Sequence, residues 1–164
     1  MPQLQQLDLS RNYIGYEGIK HLTSMQLPLL HQLNLNYIDI EDKGMKYLSS
    51  MHMPLLKILD LNSTCIGAEG MKYLSSMHMP HLQRLDLMYN HIGEEGMKHL
   101  CSKQMPLLEQ LHLGSNTIGD QGVKHLSLMK MPLLQEIYLK SSKIGDEGMK
   151  HLRNSFQNIK IIEK

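Results

Sequence analysis

The sequence predicts an α/β solenoid, built from a strand and helix unit that recurs along the chain. A fixed period of about 20–50 residues is typical of solenoids, in which each unit buries its apolar face only against its neighbours. Within each unit the apolar pattern changes from alternation to helical spacing. The period itself is set by six prolines, each 26 residues from the next, and the chain contains no others: Pro2, Pro28, Pro54, Pro80, Pro106 and Pro132.

The first half of each unit predicts a short β-strand. In the fourth unit, Leu82, Leu85 and Leu87 form the pattern LxxLxL, which Asn90 and Ile92 extend. The second and third leucines alternate with polar residues, so their side chains lie on one face of a strand. We expect these strands to form one parallel sheet with the leucines in the core.

The second half of each unit predicts a short helix. In the segment GMKHLCSKQM, Met97, Leu100 and Met105 are apolar, and charged or polar residues separate them. Acidic residues precede this segment, as the positive end of a helix dipole favours. The proline that follows cannot continue a helix. Each unit is therefore a strand, a turn, a helix and a second turn.

The segments LDLSRNYIG, LDLMYNHIG and LHLGSNTIG resemble the signature of leucine-rich repeats. The helix after the pattern IGxEG is similar to that of the ribonuclease-inhibitor-like branch, although the unit is shorter, as in some bacterial effector proteins delivered into host cells. The resemblance covers about residues 1 to 156. It implies one domain over residues 1–164, with repeats 1–26, 27–52, 53–78, 79–104, 105–130 and 131–156 and a partial repeat or cap at 157–164.

The position that is asparagine in the family pattern varies in this chain. A buried amide there satisfies backbone groups of the turn, which cost about 1–3 kcal/mol each when left unpaired. An isoleucine cannot do so, and repeat 2 also has Glu41 where other repeats have glycine. We therefore predict that residues 36–44 form the most irregular turn. Across the repeats the position is Asn12, Ile38, Thr64, Asn90, Asn116 and Ser142.

Stacking predicts which side chains are available to a partner. Strands lie about 4.8 Å apart, whereas packed helices need about 8–10 Å, so the sheet should line a concave face and the helices a convex one. The residues between and just after the strand leucines point outward from the sheet. We select as candidate partner-binding residues Asp8, Arg11, Asn34, Tyr37, Ile58, Asp60, Arg84, Asp86, Met88, Tyr89, His112 and Tyr138.

The central column of this face is acidic. Asp60 and Asp86 are expected on adjacent strands at the same level, where like charges repel, and Arg84 is placed to bridge them. One interpretation is an exposed, solvated pair without a role. The other is that this acidic centre, with Tyr37 and Tyr89 beside it, receives a basic or amphipathic element of a protein partner, since tyrosine and arginine are common interface anchors.

Composition excludes several classes of function. The 17 basic and 16 acidic side chains leave a net charge of +1, which argues against nucleic acid as a partner. No apolar run is long enough for membrane insertion. The two cysteines, Cys65 and Cys101, are expected to be free thiols of a reducing compartment, which predicts a cytoplasmic protein, or a host cytosol for a delivered effector.

No catalytic, cofactor or metal site is expected. Asp86, His112 and Ser115 have the residue types of a hydrolase triad, but an open sheet lacks the geometry that defines one. Lysines and histidines recur along the predicted helices and are interpreted as a solvated face. Glutamates three residues before four of these lysines can form ion pairs worth about 0.2–0.5 kcal/mol each.

The two ends of the array differ from its middle. Repeat 1 has no polar cap, which predicts a longer parent chain, end-to-end self-association or a tolerated bare edge. At the other end Ile159 and Ile162 come one residue early and predict a rudimentary strand over repeat 6.

These observations favour a noncatalytic protein-interaction module that binds its partner on the concave face. The resemblance to the ribonuclease-inhibitor-like branch implies that it acts as an inhibitor or sequestering factor. The alternative is a structural repeat region of a larger bacterial effector whose activity lies elsewhere.

Overall fold

The computed structural model describes residues 3–163. Strands and helices alternate along the chain, and the seven strands pair in sequence order, all in parallel, in one sheet. This confirms the predicted α/β solenoid. The strands are β1 Gln6–Asp8, β2 Gln32–Asn34, β3 Ile58–Asp60, β4 Arg84–Asp86, β5 Gln110–His112, β6 Glu136–Tyr138 and β7 Lys160–Ile162. The helices are α1 Gly15–Leu22, α2 Glu41–Leu48, α3 Ala68–Ser76, α4 Gly93–Cys101, α5 Gly119–Leu126 and α6 Asp146–Ser155.

The core lies between the sheet and the helices, where the predicted apolar rows meet. The row through Leu33, Leu59, Leu85 and Leu111 is fully buried, while its first member, Leu7, is half-buried at the open edge. Met45, Met71 and Met97 are fully buried from the helix side, as expected for a flexible side chain that fills gaps. Each unit thus completes its core against both neighbours.

The C-terminal strand forms as predicted, but in a different register. Ile161 lies opposite Ile137 in the core row, and Ile162 lies opposite Tyr138 on the outer face. The prediction had placed Ile159 and Ile162 in the apolar positions. The connection after α6 is shorter than in the other repeats, and this shifts the strand by two residues instead of one.

The turn at residues 36–44 does not adopt an irregular path, so that prediction is wrong. Glu41 opens α2 with a φ of 58°. Gly15, Gly93 and Gly119 open their helices with φ values of 53°, 59° and 65°. The next repeat imposes this conformation, because the amide of Glu41 donates to the carbonyl of Thr64 at 3.0 Å, as Gly93 does to Asn116.

Glu41 is therefore a strained residue in a regular turn. A residue with a Cβ in the left-handed region costs about 1–2 kcal/mol. We expect Glu41→Gly to be about 1 kcal/mol more stable than Glu41→Ala in urea unfolding followed by circular dichroism. The alanine variant is the matched control, since both changes remove the same charge from the first turn. Equal stability of the two variants would show that the left-handed conformation carries no strain.

The substitution of isoleucine at position 38 affects the turn of the preceding repeat, because an asparagine at this position bonds to amides of that turn. The equivalent Asn90 accepts hydrogen bonds from the amides of Thr64 and Ile66, at 3.1 and 2.9 Å, which belong to the preceding repeat. Ile38 is fully buried and has no polar atom. The break in the ladder therefore lies between repeats 1 and 2, and repeat 1 loses an acceptor for its turn.

Helices α3 and α6 begin differently from the others. Gly67 and Gly145 precede them with extended backbones, at φ −106° and −88°. The carboxylate of Asp42, from α2, accepts the amides of Gly67 and Gly70 at 2.7 and 2.9 Å. Asp120, from α5, accepts the amide of Gly145 at 2.7 Å. An aspartate in the first turn of one helix thus caps the amino terminus of the next.

Candidate functional site

The outer face of the sheet, with the turn residues that directly follow its strands, is the candidate site, and we call it the open sheet face. The strand register aligns the predicted columns across the whole sheet. One column is Gln6, Gln32, Ile58, Arg84, Gln110, Glu136 and Lys160. The central column is Asp8, Asn34, Asp60, Asp86, His112, Tyr138 and Ile162.

The acidic and amide residues of the central column have a local structural role that the sequence interpretation missed. In repeats 1 to 4, a side-chain oxygen accepts the backbone amide two residues later, which is an Asx turn. These four strands each end in aspartate or asparagine, and from this pattern the Asx turns could have been predicted. The bonds run from Ser10 to Asp8 at 2.9 Å, Asn36 to Asn34 at 3.1 Å, Asn62 to Asp60 at 3.0 Å and Met88 to Asp86 at 3.1 Å.

Asp86 is buried, which corrects the expectation of an exposed carboxylate pair. Its side chain is 3% exposed and accepts from Arg84 Nη2 at 3.5 Å. His112 Nδ1 lies 3.1 Å from the same oxygen, Asp86 Oδ2. Arg84 therefore pairs with Asp86 and does not bridge it to Asp60. The Arg84 and His112 side chains lie against the carboxylate and contribute to its burial.

Contacts between polar side chains continue across the last three strands. His112 Nε2 lies 3.4 Å from Glu136 Oε1, and Lys160 Nζ donates to Glu136 Oε2 at 2.6 Å. The hydrogen bond from Lys160 lowers the pKa of Glu136 from its usual value. Because both ring nitrogens of His112 face carboxylates, neither is directed at Ser115. The C-terminal half of the face thus has its charges paired internally.

The N-terminal half of the open sheet face, formed by β1 to β3, carries carboxylates without a cationic partner in the described structure. Within residues 3–163, no basic group lies within 4.0 Å of Asp8 or Asp60. Asp60 Oδ2 accepts only from Asn36 Nδ2 at 3.4 Å. Burial raises the pKa of Asp60, and the charge of Asp86 adds to the effect. The pKa of Asp8 is instead lowered by hydrogen bonds from Ser10. Asp60 is therefore a half-buried carboxyl group whose ionised form is disfavoured by its surroundings.

Two tyrosines stand at the rim of this face in a strained conformation. Tyr37 and Tyr89 are 55% and 60% exposed, with φ values of 55° and 54°. A left-handed conformation costs about 1–2 kcal/mol for a residue with a Cβ, and serine occupies the same position in repeats 3, 5 and 6. The same left-handed conformation recurs at this position in the other repeats, with φ values between 54° and 59° at Arg11, Ser63, Ser115 and Ser141, so it belongs to the turn of the repeat and not to the tyrosines.

Arg11 and Tyr13 extend the rim beyond Tyr37. The Arg11 guanidinium carbon lies 5.2 Å from the centre of the Tyr37 ring, a cation–π distance. Tyr13 is fully exposed, and the three residues line a shallow cavity of about 470 Å³. Tyr13 was not selected from the sequence, because its position in the turn lies outside the strand columns. The one sequence feature that could have identified Tyr13 as a candidate is an aromatic residue in the turn between Asn12 and Ile14.

The remaining candidates divide between the two halves. Asn34 lies beside Asp8, to which its Nδ2 donates at 3.1 Å, and Ile58 and Met88 are half-buried. Tyr138 stacks obliquely on His112, with ring centres 6.0 Å apart. The structure thus brings Asp8, Asn34, Tyr37, Ile58 and Asp60 together. His112 and Tyr138 belong to the internally paired half.

The helix side carries mostly exposed ion pairs. Three of the four predicted pairs form, between Lys20 and Glu17, Lys72 and Glu69, and Lys98 and Glu95. The fourth is wrong, because Glu147 contacts Lys124 of the preceding helix at 3.1 Å. Among the described residues, no cluster of three His, Cys, Asp or Glu side chains could hold a metal ion. No helix in residues 3–163 has the length and hydropathy to cross a membrane.

Comparison with protein families adds one match. A family model described as Leucine Rich repeat matches residues 2–22, 52–75, 78–101, 104–127 and 130–152. These segments cover more than half of the chain. The longest unmatched segment between them, residues 23–51, contains Ile38 and Glu41, which depart from the repeat pattern. No curated protein sequence matches the chain.

Proposed function

Because this chain belongs to the leucine-rich-repeat family, whose repeats generally serve as protein-interaction modules, we propose that its open sheet face binds a basic segment of a protein partner. The family is typically noncatalytic, and we propose the same for this chain. The observation that carries the proposal is the unpaired acidic half of the face. Asp60 is half-buried beside a second carboxylate and has no cation within 4.0 Å in the described structure.

A partner cation would relieve the cost of this charge. An ionised carboxylate in a poorly solvated position is destabilising unless it is paired. In the C-terminal half of the face a carboxylate of this kind has partners, since Arg84 forms an ion pair with Asp86 and His112 Nδ1 lies within hydrogen-bond distance of it. A lysine or arginine from a partner would do the same for Asp60, and Asp8 would widen the acidic contact.

The tyrosine rim supports the same location. Tyr37 follows β2, within the acidic half, and Tyr89 follows β4, the next strand after it, and both expose more than half of their surface. Exposed tyrosines of this kind are frequent hot spots, surrounded by weaker contacts. We therefore infer that the aliphatic part of the partner's basic segment packs on these rings while its charge reaches Asp60. We further propose that binding blocks or sequesters the partner, in the cytoplasm or in a host cytosol, where the free Cys65 and Cys101 stay reduced.

We expect Asp60→Asn to weaken partner binding by about tenfold or more, which corresponds to the loss of about 1.4 kcal/mol. The substitution removes the charge but keeps the side-chain oxygen that accepts the amide of Asn62. Proteins captured by the wild-type chain from its native cells would be identified, and their affinities measured with each variant by calorimetry. Tyr89→Ala tests the rim in the same assay.

Glu94→Gln is the matched control, because it removes one exposed carboxylate from a helix and should leave affinity unchanged. The pH dependence gives a second test. A bound cation favours the ionised form of Asp60, so its pKa falls on binding and affinity decreases as the pH drops through the raised pKa of the free protein. Asp60→Asn should abolish this dependence. Equal binding by wild type and Asp60→Asn at every pH would place the partner elsewhere.

A further inference from the structure

The interface between repeats 1 and 2, which we call the 1–2 interface, differs from the later ones on its helix side. At each of the four interfaces from repeat 2 to repeat 6, a backbone hydrogen bond connects the start of the helix, or the turn before it, to the neighbouring repeat. The amides of Glu41, Gly93 and Gly119 donate to carbonyls of the next repeat at 3.0 Å each. Between repeats 3 and 4, the amide of His91 donates to the carbonyl of Ile66 at 2.8 Å.

The helix side of the 1–2 interface has no such bond. Between residues 12–22 and residues 38–48, both within the described part of the chain, no hydrogen bond crosses from one repeat to the other. The amide of Gly15, which opens α1, has no backbone acceptor in repeat 2. Ile38 offers no side-chain acceptor either, because its side chain is apolar. The two helix sides are therefore held together without hydrogen bonds.

Cation–π contacts join α1 and α2 instead. The ammonium group of Lys43 lies 5.1 Å from the centre of the Tyr16 ring, and that of Lys20 lies 6.0 Å from the centre of the Tyr47 ring. The third cation–π contact found within residues 3–163, on the rim of the sheet, also joins repeats 1 and 2. Exposed contacts of this kind are weak, and they do not satisfy a backbone amide.

The sheet side of the 1–2 interface is hydrogen-bonded in the same way as the later interfaces. Strands β1 and β2 pair in register. The amides of Leu9 and Arg11 extend this pairing, since they donate to the carbonyls of Asn34 and Asn36 at 3.0 and 2.9 Å. One side of the interface is thus held by hydrogen bonds, and the other by apolar packing and weak surface contacts. This asymmetry allows one side to separate while the other stays paired.

We propose that the array has a hinge between repeats 1 and 2, at the pairing of β1 with β2, about which α1 and the turn before it move away from α2. Hinge motion of this kind is common where one packed unit is joined to the next by a few fixed residues. The stability of a repeat array depends on the contacts between neighbours. An interface without hydrogen bonds on its helix side therefore opens at a lower free energy than the others. A unit stacked before repeat 1 would not supply the missing acceptors, since they belong to repeat 2.

The hinge regulates the acidic half of the open sheet face, a consequence that rests on the proposed function. Asp8 lies on one side of the hinge, and Tyr37 and Asp60 lie on the other. Opening therefore changes the spacing of the groups that contact the partner. A partner that binds the closed arrangement gains affinity when the hinge is already closed, because the fraction of competent molecules increases.

Ile38→Asn tests the hinge in the free, full chain. An asparagine at this position can accept the amides of Asn12 and Ile14, as Asn90 does for the repeat before it. Amide hydrogen exchange measured by NMR reports the opening, with the α5 amides correcting for any change in overall stability. We expect the α1 amides to exchange about tenfold more slowly than in the wild type, the effect of two added hydrogen bonds. Ile38→Val adds no acceptor and is the matched control. Equal exchange in the two variants would overturn the proposal.

Lys43→Met tests the same hinge without a polar group in the core. The change removes the charge that lies over the Tyr16 ring but keeps an unbranched side chain of similar length. We expect the α1 amides to exchange about two- to fivefold faster, as the loss of an exposed cation–π contact requires. Lys46→Met is the control, because Lys46 lies on the same helix and has no cation–π or ion-pair partner in the part of the chain that the structure describes. The same exchange in both variants would contradict the proposal.

Binding of an acetylated octalysine peptide at low ionic strength tests the regulation of the acidic half. We expect Ile38→Asn to bind the peptide about twofold more tightly than Ile38→Val. Binding that is lost in Asp60→Asn but equal in the two Ile38 variants would overturn the regulation. If Asp60→Asn binds as well as the wild type while the exchange results hold, the proposed function fails and the hinge stands.

Discussion

Asn90→Ala is expected to lower the free energy of unfolding by about 3 kcal/mol. Asn90 is buried and connects two repeats, since its oxygen accepts the amides of Thr64 and Ile66 at 3.1 and 2.9 Å. Its amide nitrogen donates to the carbonyl of Leu61 at 2.8 Å. That carbonyl keeps a second donor, the Thr64 hydroxyl at 2.7 Å, but the two amides lose their acceptor.

The magnitude follows from these two amides, because each buried unpaired group costs about 1–3 kcal/mol. Urea unfolding followed by circular dichroism measures the change. Asn12→Ala is the matched control, since Asn12 occupies the same position in repeat 1 but is exposed and bonds only to carbonyls of its own repeat. We expect it to cost less than about 1 kcal/mol. Similar losses for both variants would contradict the role assigned to Asn90 between repeats.

Leu59→Ala is expected to cost a similar amount, about 3 kcal/mol, for a different reason. Leu59 is fully buried in the central core row, between Leu33 and Leu85 on the adjacent strands. Truncating a buried leucine loses transfer free energy and leaves a cavity, and such changes cost about 2–5 kcal/mol. In a stacked array the cavity lies between units and weakens the contacts on both sides.

Leu7→Ala tests whether position in the array sets this cost. Leu7 occupies the same row in the first strand, where it is only half-buried. We expect a loss of about 1 kcal/mol, measured in the same unfolding experiment. A loss as large as that of Leu59→Ala would mean that the open edge of repeat 1 is better covered than its exposure indicates.

The repeat pattern identifies the residues of the open sheet face but does not predict how their environments differ. The fixed period predicts that Asp60 and Asp86 lie on adjacent strands at the same level, and they do. It does not predict that Asp86 is buried beside the Arg84 guanidinium and the His112 ring while, among the described residues, Asp60 has no basic group within 4.0 Å. That difference depends on the orientation of the Arg84 and His112 side chains. Both contact Asp86, which is 2 residues from Arg84 and 26 residues from His112 in the sequence.

The turn of repeat 2 shows the same limit. Ile38 and Glu41 depart from the pattern of the other repeats, and an irregular turn was the natural prediction. The backbone is nevertheless regular, since its amides bond to carbonyls of the following repeat. A local sequence departure was outweighed by stacking, and its cost appears as strain at Glu41 and as a missing acceptor for repeat 1.

The amino-acid sequence by itself determined the solenoid, the order of its strands and the rows of its core. These follow from a constant period, because any regular spacing of apolar residues places equivalent side chains in equivalent positions. Only the tertiary structure decided which charges are paired and which repeat depends on Asn90 and Ile38. These properties belong to contacts between repeats, where a side chain satisfies or covers groups of the neighbouring unit, and no pattern within one unit describes them.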